Sequence, residues 1–146
     1  MRKEAARWTL SSLLLVGSGV LLIGVGLYFL FVRPSLLPED VRFMKLTPAE
    51  LQLVGDRLGS WLLHVFRVMG GYIVATGVLA VTLATTSLRD HHPIAAIGSM
   101  VAGAASIGLM AAVNFMIASD FKWVLLGMAL VWALSLAAFA WEAARS

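Results

Sequence analysis

Four long apolar stretches, separated by short polar punctuation, dominate the pattern of positions along the 146-residue chain. They cover roughly 9–32, 68–88, 94–119 and 123–141, and none has a charged side chain or a histidine at its centre. About 20 apolar residues in helical form cross a hydrocarbon core. Backbone in lipid must satisfy its own hydrogen bonds, which a helix does within one segment. The pattern therefore predicts an all-α integral membrane bundle of four transmembrane helices, one domain over 1–146.

Each stretch carries its own boundary signals. The first follows Arg2, Lys3 and Arg7 and closes at Arg33-Pro34; it exceeds the apolar core of a secretory leader and lacks an A-x-A site, so a retained helix is expected. Gly17 and Gly24, and likewise Gly19 and Gly26, stand seven residues apart and make two small-residue strips for close helix packing. Pro93 suits the first position of the third helix. That helix carries two further strips, Gly98-Ala102-Ala105 and Ala104-Gly108-Ala112. Asp120-Phe121-Lys122 leaves only a tight turn before the fourth helix, so the third and fourth must be antiparallel neighbours. Trp123 and Trp141 lie about 27 Å apart along that helix, the separation of two interfacial anchors.

The segment 34–67 has internal order. Pro38-Glu39-Asp40 places a proline and two acids in the first turn of a short helix. Thr47-Pro48-Ala49-Glu50 has the form of a capping box and starts another. From there Leu51, Val54, Leu58, Trp61, Leu62, Val65 and Met69 follow helical spacing. Two arrangements fit: an amphipathic helix lying at the membrane interface and bending near Gly59 or Gly70-Gly71, or one long helix that projects beyond the bilayer. The opposite face collects Asp56, Ser60, His64 and Arg67. These four are the candidate ligand-binding residues, suited to a phosphate or carboxylate headgroup; the competing reading is a solvated face with Arg67 snorkelling.

Composition agrees with this class: 60% of residues are hydrophobic, 13% charged, and mean hydropathy is +0.90. The net charge of +3 comes from Lys and Arg spread over loops and ends, a headgroup pattern rather than a nucleic-acid face. With both termini on one side, that side holds Arg2, Lys3, Arg7, Arg89 and Arg145, and the other Arg33, Arg42, Lys45, Arg57, Arg67 and Lys122. The count leaves orientation open; the short basic N-terminal tail assigns both termini to the cytoplasm.

Candidate chemistry is sparse. The chain has no cysteine, which removes disulfide, thiolate and iron–sulfur chemistry. His64, His91 and His92 fall at the ends of apolar stretches, which argues against an intramembrane bis-histidine haem. Adjacent His91 and His92 point different ways and His64 is a whole span distant, so no metal site is expected. Every acid lies outside the apolar centres, which argues against buried-acid proton coupling. Asn114 is the most polar group at membrane depth, suited to bonding a neighbouring helix or a ligand carbonyl such as a quinone's. No catalytic constellation or cofactor motif emerges.

Leu36-Leu-Pro-Glu-Asp-Val-Arg-Phe-Met44, Trp61-Leu-Leu-His-Val-Phe-Arg-Val-Met-Gly-Gly71 and Asp120-Phe-Lys-Trp123 together resemble small uncharacterised four-helix inner-membrane proteins of bacteria. The resemblance implies a fold and a bacterial inner membrane and carries over no active site. Three functions follow as expectations: a structural, accessory or assembly subunit joined to a larger complex or to its own copies; a lipid, quinone or lipophile binder with its headgroup site at the start of the second span; and an oligomeric transporter or channel. Membrane lipids are the expected partners in all three.

Overall fold

The computed structural model describes residues 8–145, apart from the side chain of Val54. Arg2, Lys3, Glu4, Arg7 and the Val54 side chain thus lie outside the described residues. The chain is 82% helical, with no strand among the described residues. Its elements are α1 (Leu10–Phe31), α2 (Pro38–Met44), α3 (Pro48–Thr85), α4 (Pro93–Gly103), a π-helical segment (Ala104–Gly108), α5 (Leu109–Met116) and α6 (Lys122–Ala143). Four helical stretches are long and apolar enough to cross a membrane: Leu10–Phe31, Gly55–Thr85, Pro93–Met116 and Lys122–Ala143.

Of the two arrangements open for 48–85, the chain adopts one continuous helix. Its 38 residues extend about 57 Å at 1.5 Å per residue, so the stretch from Leu51 to Met69 is the N-terminal part of α3. The Thr47 hydroxyl accepts from the Glu50 N–H at 3.3 Å while the Glu50 carboxylate accepts from the Thr47 N–H at 2.8 Å, the capping box expected from sequence. Of the glycines that suggested a bend, Gly59 and Gly70 serve close approach instead, while Gly71 faces open space. A Cβ on Gly59 would lie 3.1 Å from Ser35 Oγ, and one on Gly70 would lie 2.8 Å from the Gly26 carbonyl oxygen.

α1 is the central helix and packs on α3 and α6. Gly19 faces Gly77 and Gly26 faces Gly70 in antiparallel register; a Cβ on Gly77 would sit 2.6 Å from the Gly19 carbonyl oxygen. Only glycine at these crossings lets the backbones meet this closely. Gly17, Gly24 and Gly98, by contrast, have no other atom within 4 Å of where a Cβ would stand, so within one chain those strips face outward. Ala102 is exposed and lines a small cavity beside Trp132; the nearest neighbour to a Cβ on Gly108 would be its own chain at Gly103.

The third candidate span contains a π-helical segment that the sequence pattern did not announce. Trp132 of α6 presses its indole against Gly103, leaving no room for a Cβ there, and its Nε1–H donates to the Ser99 carbonyl at 3.0 Å. A side chain inserted into the backbone ladder is one physical cause of such a bulge. The third span packs mainly on α6, and of its parts only α4 makes an appreciable contact with α3. Towards α5 the two helices part.

Both ends of the bundle are tied. At the terminal end, Glu142 accepts from the Ser11 hydroxyl at 2.5 Å and from the Ser11 N–H at 3.1 Å, placing a carboxylate at the positive N-terminus of α1. His91 Nε2 lies 3.7 Å from Glu142, and its ring stacks on Phe139. At the opposite end, Ser119 donates to Glu39 at 3.1 Å and Arg42 pairs with Asp120 at 3.3 Å. The α1–α3 connection and the turn before α6 therefore share one end, and the described ends of the chain, near Trp8 and Arg145, share the other.

Candidate functional site

Where α3 and α5 part, a cavity of about 570 Å³ opens between α1, α3, α5 and α6. That volume falls within the range of about 300–1,000 Å³ typical of ligand pockets. Its walls are Leu22, Val25 and Phe29 from α1; Phe66, Met69, Ile73 and Thr76 from α3; Leu109, Met110 and Val113 from α5; and Leu125 from α6. Along α3 it runs from Phe66 to Thr76, about 15 Å at helical rise. This is half the roughly 30 Å hydrocarbon thickness of a bilayer, or one leaflet.

One end of the cavity is charged. α2 folds back beneath the end of α1 and brings Leu37, Glu39 and Asp40 to the lining beside Arg33 and Ser119. Arg33 is buried, pairs with Asp40 at 3.1 Å, donates to the Pro34 carbonyl at 2.9 Å and lies 3.5 Å from the centroid of the Phe66 ring. Asp40 also accepts from the Leu37 N–H at 2.9 Å and so caps α2. Both members of this buried pair are satisfied by further hydrogen bonds or ring contact, the condition under which a desolvated ion pair holds.

Glu39 is different. It is 3% exposed and its only hydrogen-bond partner among the described residues is the Ser119 hydroxyl, which reaches Oε1. No Lys, Arg or His of the described residues lies within 4.0 Å of its carboxylate. Oε2 has no hydrogen-bond partner among the described residues and is not fully buried, and Glu39 is one of the residues lining the cavity.

Three of the milder polar groups on the walls turn to their own helices. Thr76 donates to the Tyr72 carbonyl at 2.9 Å, Ser106 to Ala102 at 2.5 Å, and the Asn114 amide to Met110 at 2.9 Å. Asn114 thus bonds within its own helix rather than across helices, and it also lines the cavity. A second cavity of about 160 Å³, also touching Thr76, lies between α3, α4 and Trp132.

Asp56, Ser60, His64 and Arg67 are all exposed, and none lines the large cavity. The one bond among them runs from the His64 ring to the Ser60 carbonyl, 2.7 Å apart and one turn earlier. The cavity's charged end comes instead from Arg33, Glu39, Asp40 and Ser119, which sequence reading treated as span-end and helix-start residues. The available signal was Arg33, directly after an apolar run, with two acids a few residues on. Among the described residues no three of His, Asp and Glu gather closely enough to hold a metal ion.

Comparison with known protein families, curated proteins and solved structures finds no match for this chain. No residue role is carried over from another protein, and the site rests on its own geometry.

Proposed function

We propose that this chain sits in a bacterial inner membrane, both termini in the cytoplasm, and binds one membrane lipid or other lipophile between α1, α3 and α5. The observation that carries this reading is the cavity itself, apolar for about one leaflet's depth and charged at one end. A hydrocarbon tail would lie against Leu22, Val25, Ile73 and Val113 with its head near Arg33, Glu39 and Asp40. The headgroup end is level with Phe66 of α3 and is built from other residues than Asp56, Ser60, His64 and Arg67.

Native mass spectrometry of protein extracted in a mild maltoside tests it. The wild type is expected to retain a stoichiometric lipophile; Val113→Trp, which sets an indole in the cavity wall where the tail would lie, is expected to lose it, and Arg67→Ala to keep it. An empty wild-type protein, or an unchanged lipophile in Val113→Trp, overturns the reading.

A second reading, an accessory subunit of a membrane complex, draws support from Gly17 and Gly24, which present an open strip on the outer face of α1. Copurification of a stoichiometric partner lost in Gly17→Leu would support it. A monomeric particle with no partner would count against it.

A further inference from the structure

Resting on the lipophile reading, we infer that the cavity selects an amphiphile with an ammonium head over one with an anionic head. Glu39 carries the argument. Its side chain is almost wholly buried at the charged end of the cavity, has a single hydroxyl partner on one oxygen, and leaves the other oxygen partly accessible with no protein donor. A carboxylate largely withdrawn from water and short of donors is costly. A ligand that brings an N–H donor or a positive charge to Oε2 removes that cost.

The other charged side chains that line the cavity, Arg33 and Asp40, do not reverse this sign. Arg33 is committed to Asp40, the Pro34 carbonyl and the Phe66 ring, and the Arg42–Asp120 pair at the exposed rim sums to zero. Arg33, Glu39 and Asp40 as ionised groups leave one net negative charge at the cavity end. A phosphate or carboxylate head that carries no ammonium would lie beside Glu39 uncompensated and would have to displace Asp40 to reach Arg33. An ammonium head would pair with Glu39 without disturbing that bridge.

The same head chemistry comes from two sources, an ethanolamine phospholipid of the bilayer or a free long-chain amine. The test offers the delipidated protein, in maltoside micelles, two chain-matched pairs: phosphatidylethanolamine against phosphatidylglycerol, and dodecylammonium against dodecyl phosphate. Native mass spectrometry reads the retained ratio. The ammonium member of at least one pair is expected to be retained about tenfold over its anionic counterpart, the scale of one charge-assisted hydrogen bond. Discrimination in the phospholipid pair identifies the bilayer as the source; discrimination in the dodecyl pair alone identifies a free amphiphile.

Glu39→Gln is expected to abolish the preference while keeping the tail bound, and Glu39→Asp to preserve its sign. The wild-type ratio stands as a test even if a variant fails to fold. Equal retention within both pairs, or preference for the anions, overturns the inference and leaves lipophile binding intact. Retention of none of the four overturns both.

Discussion

Adding a single methyl group to neighbouring glycines of α1 should have opposite consequences on its two sides. At Gly19 a Cβ would stand 2.8 Å from the Gly77 carbonyl oxygen and 3.1 Å from the Val81 N–H nitrogen, short of the 3.4 Å at which ordinary contact begins. These are backbone atoms and cannot rotate aside, so Gly19→Ala forces α1 and α3 apart by several tenths of an ångström. Overpacking of this kind costs about 1–3 kcal/mol. At Gly17, two residues away, nothing lies within 4 Å, and alanine gains up to about 1 kcal/mol of helix propensity. The two variants should therefore differ by about 2 kcal/mol or more, a separation of roughly 4–8 °C in Tm for a chain of this size. Thermal unfolding in mild detergent, followed by circular dichroism, measures it; Gly26→Ala against Gly24→Ala repeats the comparison one heptad on. Equal destabilisation at Gly17 and Gly19, or a neutral Gly19→Ala, would refute the packing register.

Arg33→Ala breaks a buried ion pair and should cost about 3–5 kcal/mol in the same assay, whereas Arg42→Ala, at the exposed Asp120 pair, should cost less than about 1 kcal/mol; a reversed order would place the wrong pair in the interior. Trp132→Phe keeps the ring but removes the donor to Ser99 and should cost about 1 kcal/mol, with faster amide exchange across Ala104–Gly108; unchanged exchange would dissociate the indole from the π-helical segment. The Thr47 hydroxyl and then its N–H hold the Glu50 carboxyl below its ordinary value. Because the folded value is the lower one, the capping contribution is full above the unfolded carboxyl range and is lost as pH falls through the folded value. Amide exchange in the first turn of α3, corrected for intrinsic rates, should therefore rise on acidification in the wild type and stay flat in Glu50→Gln; parallel profiles would remove Glu50 from the cap.

The chain's own order determined four long apolar helical stretches, several helix starts and the reversal before the last helix. These follow from local quantities: long apolar runs, Thr47-Pro48-Ala49-Glu50 at a helix start, Pro93 at another, and a turn at Asp120 too short for anything but reversal. Tertiary structure decided which faces meet. Gly17 and Gly19 are equivalent in composition, and only the rotation of α1 about its axis turns Gly19 to Gly77 and leaves Gly17 outside. The stripe Asp56, Ser60, His64 and Arg67 was legible as a periodic polar face, yet periodicity cannot tell a face turned outward from one turned to a cavity. Glu39 read as a helix-start acid because the fold-back of α2 against Ser119, 80 residues away in sequence, depends on the docking of whole helices. The cavity exists because α3 and α5 part, and no residue encodes that gap by itself.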